Sequence, residues 1–335
     1  MKRYIVLLCG LMCCVALVRA QFDPQVGQYM FMQPTYNPAA VGDGDMMRVF
    51  GSHRMQFTGI MDAPMTTYFS FSSPFVIGKT RHAAGIRFVN DRFGLFSNQS
   101  LYGTYAYKIR LGKGYLSVGA DVGFLNLSFA VDSVNLTNIA QIEDNAYHMA
   151  TDEAIPTGGG ASGVSGMTFD MGVGVYYSSP TWWAGASYGH LLNPVLEWAD
   201  RAETKVRGTF YATGGYNWRL RNKSWVLKPS AMLTTDFVAW DLNLTMLAQV
   251  NNRFRFGMGG RFAAVEVDEA VKASGALNVL FSVDIVSGLE LGYTYELPLN
   301  SLLRESYGSH EIYLAYGFNV LKPKRTNKYK SVRFL

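Results

Sequence analysis

In Leu289-Glu290-Leu291-Gly292-Tyr293-Thr294-Tyr295-Glu296 every second residue is large and apolar, and the residues between are small or charged. A period of two puts the two kinds on opposite faces of an extended strand. The same rhythm runs through Phe169, Met171, Val173 and Val175 against Asp170, Gly172 and Gly174. It recurs in Ile312, Leu314, Tyr316 and Phe318 against Glu311, Tyr313, Ala315 and Gly317, and in Leu242, Leu244 and Met246 against Asp241, Asn243 and Thr245. Outward from these, the chain repeats alternating segments separated by turn residues from about Met46 to Phe318. Fourteen segments begin near residues 47, 65, 82, 99, 115, 167, 181, 207, 224, 238, 253, 275, 288 and 309.

The bulky row is Leu, Phe, Tyr, Met and Val, and the opposing row is Gly, Ser, Thr, Asp, Arg and Asn. A soluble sandwich needs bulk on the inner faces where its two sheets interdigitate. A cylinder in lipid needs bulk outside and tolerates small polar residues within, and closure removes every edge that hydrocarbon could not solvate. The expected fold is all-β: a transmembrane antiparallel up-and-down β-barrel of 14 strands. Composition agrees. The 335 residues are 49% hydrophobic and 14% aromatic with 34 glycines, which excludes disorder. Only 16% are charged, below the roughly 25% of soluble domains. After the first twenty positions no run approaches the roughly 20 apolar residues of a spanning helix.

Connection lengths carry a second signal. Short links fall at Gly112–Gly114, Ser178–Pro180, Arg221–Lys223, Val250–Asn252 and Ser287–Gly288. Longer ones fall at Asp91–Ser97, Ala130–Gly166, Leu192–Lys205, Val265–Ala273 and Pro298–Gly308. Pro74–Thr80 is middling, and the link near Asp236 is short where a long one is due. Tight turns on one side and longer loops on the other are the asymmetry of outer-membrane barrels. An even strand count from a periplasmic N-terminus returns the C-terminus to the periplasm, so both termini are expected there.

Residues 1–20 read as a secretory signal peptide: Lys2 and Arg3, an apolar stretch from Tyr4 to Val18, and the small-x-small site Val18-Arg19-Ala20. Cys9, Cys13 and Cys14 all lie inside it, without a lipoprotein context, so the mature chain is expected to carry no thiol. Without Lys2, Arg3 and Arg19 the balance is 27 basic against 25 acidic residues. The tail, residues 319–335, holds Lys322, Lys324, Arg325, Lys328, Lys330 and Arg333 and no acid. Basicity therefore belongs to the two ends, and nucleic-acid binding has no support.

Covalent chemistry has little footing. His53, His82, His148, His190 and His310 show no metal-ligand spacing. Gly257-Met258-Gly259-Gly260 and Gly172-Val173-Gly174 look like phosphate loops but sit within alternating strands, where packing in a crowded lumen explains them better. There is no nucleophile elbow. No enzyme and no cofactor is expected. By parity the inward row includes Arg87, Lys108, Arg110, Lys228, Arg255 and Arg261 with Asp121, Asp170, Asp241, Glu290, Glu296 and Glu311. A selective channel favours one sign at its constriction. A balanced set suits paired charges that cross-link and occlude the bore.

Three regions do not follow from barrel physics. The first is Gln21-Phe22-Asp23-Pro24-Gln25 with Gln28-Tyr29-Met30-Phe31 and Asn37-Pro38-Ala39-Ala40-Val41-Gly42. The second is Arg54-Met55-Gln56-Phe57-Thr58-Gly59 with Ala63-Pro64, and the third is Ser309-His310-Glu311-Ile312 with the basic tail closing on Val332-Arg333-Phe334. In these the chain resembles the PorP/SprF family over essentially its whole mature length, with Phe57 where that family's R-x-Q-W-x-G…P pattern has tryptophan. The resemblance implies a non-enzymatic outer-membrane protein of Bacteroidota in the type IX secretion and gliding machinery. Such a barrel would anchor or help export cargo with a C-terminal sorting domain, or link the outer membrane to periplasmic machinery. It also implies Gln28, Tyr29, Asn37, Pro38, Ala39, Gly42, Arg54, Gln56, Gly59, Pro64, His310 and Glu311 as family-motif or partner-binding candidates, with Lys324, Arg325 and Arg333 in the tail.

The expected organisation is a signal peptide (1–20), an N-terminal periplasmic or plug segment (21–45), the barrel (46–318) and a basic periplasmic tail (319–335). Residues 21–44 are rich in Gln, Pro, Tyr and Met and are not strand-like: a plug, a docking segment or a flexible leader. The loop Ala130–Gly166 is long enough to meet a surface partner or to cap the barrel. The tail suits acidic partners or lipid phosphates, or is simply solvated. The competing functions are a porin or a small-solute or lipid transporter, and a barrel enzyme acting on lipids.

Overall fold

The computed structural model describes residues 23–94, 96–129, 164–197, 203–221, 224–267 and 270–319. The signal peptide, most of the loop Ala130–Gly166 and the tail beyond residue 319, with Lys324, Arg325 and Arg333, lie outside the described residues.

Two single 3-10 turns, Gln33–Thr35 and Pro38–Ala40, precede the strands. Along the chain follow β1 (Met47–Met55), β2 (Met65–Ile77), β3 (Thr80–Phe93), β4 (Phe96–Leu111), β5 (Gly114–Phe129), β6 (Val164–Ser178) and β7 (Trp182–Gly189). Next come β8 (Val195–Glu197), β9 (Glu203–Lys205), β10 (Thr209–Tyr216), β11 (Trp218–Arg219), β12 (Trp225–Thr235) and β13 (Ala239–Val250). β14 (Phe254–Val267), β15 (Ala270–Val286), β16 (Leu289–Pro298) and β17 (Ser309–Phe318) complete the set, with a one-turn helix at Leu302–Glu305. β8 and β9 pair only with each other. The rest form one antiparallel meander in which β10 pairs with both β7 and β12, and β17 closes on β1 from Met47↔Phe318 to Met55↔His310. With β11 continuing β10 past Asn217, the closed wall has 14 staves. No helix among the described residues is long and apolar enough to cross a membrane, and the strands take that role.

The alternating faces separate as the period of two requires. Tyr293, Ile312, Leu314, Leu244, Phe124 and Val175 stand exposed on the outside, while Glu290, Thr294, Glu296, Glu311, Asp241 and Asp170 are buried within. An outer surface of this apolarity, on a sheet without an open edge, is the condition for lipid contact.

The connections are more even than expected. The segment Asp91–Ser97 is nearly all strand, because β3 runs to Phe93 and β4 begins at Phe96. Likewise β14 reaches Val267 and β15 begins at Ala270, which leaves two residues of the supposed loop Val265–Ala273. The link at Pro74–Thr80 shrinks to two residues between β2 and β3. Polar residues such as Asp91 and Asn98 imitate a loop in sequence. Here they are paired across strands, and the Thr66 hydroxyl donates to Asp91 at 2.5 Å.

Residues 23–45 run along the bore. Asp23 lies near the mouth where β7 ends and β10 begins, bonded to His190 and Tyr211. At the other end, Gly42 accepts from Lys108 and Asp45 pairs with Arg81, close to the mouth where β1 starts and β17 finishes. The described start of the segment therefore faces away from the mouth that releases the C-terminal end of β17. Val26, Tyr29, Met30, Met32, Tyr36, Ala39 and Ala40 are buried, and they form one core with inward Phe50, Tyr68, Tyr176, Trp183, Tyr211, Met232, Leu247, Leu280 and Tyr313. The inner wall is thus not uniformly small and hydrophilic. Bulky side chains point inward where they have the bore segment to pack against.

Candidate functional site

The filled bore is where chemistry-bearing residues converge. Near the mouth where β1 ends, Arg54 of β1 donates to Glu296 of β16 at 2.9 Å and to Glu311 of β17 at 3.1 Å. Arg261 of β14 reaches Glu296 at 2.9 Å and lies 3.9 Å from Asp241. The bore segment closes this knot: the Gly27 backbone N–H donates to the Glu311 carboxylate at 2.9 Å, and Gln28 Nε2 donates to the Glu311 carbonyl at 3.1 Å. Buried charges persist only when paired and hydrogen-bonded, so the acids and bases fix one another and the segment together.

Two further ion clusters brace the wall. Arg255 joins Glu290 at 2.8 Å and Asp284 at 3.0 Å, with Phe31 of the bore segment 5.9 Å from its guanidinium and stacked on Tyr313 at 5.1 Å. Arg87 pairs with Asp121 at 2.9 Å, lies over the Tyr102 ring at 4.0 Å and donates to the Thr35 carbonyl. Of the inward bases, Arg87, Arg255 and Arg261 pair with Asp121, Glu290 and Glu296, while Lys108 donates to the Gly42 carbonyl. Arg110 follows inward parity but stands exposed near the end of β4.

Toward the other mouth, Asn37 caps the turn Pro38–Ala40 by accepting from Ala39 N–H at 2.9 Å, and its amide donates to the Val175 carbonyl at 3.1 Å. The wall is cut away for this turn. A Cβ on Gly119 would lie 2.6 Å from Ala39 N, and one on Gly174 would lie 2.3 Å from Asn37 Oδ1. A cavity of about 50 Å³ lies near Asp23, Arg87, Asp121, His190 and Tyr211, with space for a few waters.

Residues 18–316 match the family described as type IX secretion system membrane protein PorP/SprF. The chain belongs to this family. No curated protein matches the chain in sequence. Solved structures similar to this PorP/SprF protein include the CymD monoaromatic hydrocarbon channel, at 11% identity and TM-score 0.49 over 90% of this chain and 94% of that one. The P. putida toluene transporter TodX is 10% identical with TM-score 0.48, over 86% of this chain and 93% of its own. The Acinetobacter baumannii outer membrane protein Omp33 is 9% identical with TM-score 0.43, over 83% and 99% respectively. Likeness at this level is one of barrel architecture.

In this PorP/SprF barrel the motif residues divide by place. Gln28, Arg54 and Glu311 meet in the knot of charges. Tyr29 is buried, and its hydroxyl shares a 3.0 Å hydrogen bond with Ser230. Asn37, Pro38 and Ala39 form the turn against the wall glycines, and Gly42 takes the Lys108 bond. Gln56 and Pro64 close the β1–β2 connection through Gln56 N–H to the Pro64 carbonyl at 2.8 Å. Gly59 has φ +97°, and a Cβ there would strike the Tyr307 ring at 2.7 Å. His310 faces outward, its Nδ1 2.7 Å from the Tyr293 hydroxyl. Most motif residues therefore belong to the bore segment or to the wall that holds it.

Sequence reading missed one cluster of the PorP/SprF bore: Asp23, Asp170, His190, Tyr102 and Tyr211. His190 Nδ1 is 2.7 Å from Asp170, its Nε2 is 2.9 Å from Asp23, and the Tyr102 and Tyr211 hydroxyls donate to these carboxylates. Burial by itself would raise the Asp23 carboxyl, but His190 and the hydrogen bonds prevail and hold it at about 2. A lone inward histidine and an inward aspartate on neighbouring strands were the only available signal.

Proposed function

We propose that this protein is an outer-membrane component of type IX secretion that works by binding and anchoring, with its bore closed to solutes. It would hold a secreted or surface cargo protein bearing a C-terminal sorting domain, or tie the outer membrane to periplasmic machinery. The observation that carries the reading is the bore segment itself. Residues 26–42 are almost wholly buried and fastened to the wall by Arg54, Arg87, Lys108 and Glu311. A protein built this way contributes surfaces, namely its loops, tail and apolar exterior, and offers no open path.

In this reading the mouth shared by the start of β1 and the end of β17 faces the periplasm, so the basic tail meets acidic partners or lipid phosphates there. The loop Ala130–Gly166 would meet cargo outside. No covalent chemistry is assigned to it. Affinity purification of the tagged barrel from its native envelope tests the reading. Recovery of a sorting-domain cargo or a periplasmic machinery protein supports it, and recovery of lipid alone contradicts it. Liposome swelling with small sugars would favour a porin or transporter instead.

A further inference from the structure

The connection between β7 and β10 stands on two feet, and both grip the same carboxylate. His190, the residue after β7, turns the chain out of the wall with φ +54°. Its Nε2 lies 2.9 Å from Asp23 Oδ1, while Tyr211, third in β10, donates its hydroxyl to Asp23 Oδ2. Both imidazole nitrogens face a carboxylate, so both carry a proton and the ring is an imidazolium.

The grip continues into the hairpin of β8 and β9. Asn193 Oδ1 accepts from Gly208 N–H at 2.9 Å, and Val206 N–H donates to the Pro194 carbonyl at 2.9 Å, which zips the two arms above the feet. The hairpin folds inward. Leu196 and Val206 are buried in one cluster with Tyr102, Leu125 and Leu127 of β4 and β5. Tyr102 is also the residue whose hydroxyl donates to Asp170 at 2.6 Å, and Asp170 is 2.7 Å from His190 Nδ1. An unbroken line of contacts therefore runs from Leu196 through Tyr102, Asp170 and His190 to Asp23. The cavity beside Asp23, His190 and Tyr211 leaves these side chains room to part.

We propose that the β7–β10 connection and the bore segment form one coupled unit clasped at Asp23, so that lifting the hairpin off Tyr102 frees the leading end of the segment. A force or contact on this mouth of the barrel is then felt within the bore. The inference rests on the closed-bore reading. It predicts that residues distant from the segment control its protection.

The test is hydrogen exchange on the full-length barrel in lipid vesicles. Leu196→Ala removes hairpin packing without touching the segment. It should speed exchange of the backbone amides of residues 25–31 by about ten-fold, and Asp23→Asn should do the same. The double variant should exchange no faster than Asp23→Asn alone, because one clasp can be opened only once. Val206→Ala is the second variant should the first fail to fold, and intact β1–β17 amide protection shows that the wall survives. Faster exchange in residues 194–206 with residues 25–31 unchanged would overturn the coupling alone. Ion conduction by the unaltered barrel would instead overturn the closed-bore reading.

Discussion

Gly119 of β5 faces the bore beneath the turn Pro38–Ala40, and adding one methyl group there tests whether segment and wall are in true contact. A Cβ at this position would stand 2.6 Å from both Ala39 N and the Pro38 carbonyl carbon. Ordinary contact is about 3.5–4.0 Å, so turn or wall must give way by about 1 Å. Backbone on both sides leaves no flexible side chain to yield. Overpacking of this kind costs about 1–3 kcal/mol, which multiplies the population with the turn displaced by about 5- to 150-fold. Gly119→Ala should raise amide exchange in residues 35–41 by that factor, and Gly119→Leu by more, while the strands keep their protection. Gly103→Ala on neighbouring β4 is the control, since its nearest neighbour would be Val122 O at 4.0 Å. Exchange in Gly119→Leu that matched the native protein would refute the packed bore.

Three other perturbations separate the contributions. Arg54→Met leaves Glu296 and Glu311 buried without their common partner, at a cost of about 3–5 kcal/mol in denaturant titration of the barrel, and Glu311→Gln in the same chain should recover part of it. Asp23 is held at about 2 against the ordinary 3.8, so its stabilisation is complete above 3.8 and is lost as pH falls through about 2. Exchange protection of residues 25–31, corrected for the intrinsic rate, should be flat from neutral pH down to about pH 4 and should fall only toward pH 2. Leu314→Arg puts a charge on the exposed face of β17 and should cost about 2–4 kcal/mol when the barrel folds into vesicles, whereas a loss under about 1 kcal/mol would place Leu314 outside the hydrocarbon.

The wall was legible because a strand with lipid on one side and a crowded bore on the other must alternate, and the rows of β6, β13, β16 and β17 do so almost without fault. Its height was less legible. Above the hydrocarbon a paired strand is free to be polar, so the ends of β3, β4, β14 and β15 look like loops. The bore segment has no periodicity to announce it, since its shape comes from one Asn cap, two 3-10 turns and the wall around it. Resemblance to a family marked Gln28, Arg54 and Glu311, and the fold shows them in one knot. Inward Tyr68, Tyr211 and Tyr313 broke the rule of bulk outside, and their reason appears only once the segment is in place. The Asp23–His190 contact joins residues 167 apart, a distance over which no local pattern operates.

The closed bore is tested most directly by the current through single purified barrels in a planar lipid bilayer. The native protein is predicted to insert without stepwise conductance, and Gly119→Leu to show discrete openings. Steady porin-like steps from the native protein, unchanged in Gly119→Leu, would contradict the account.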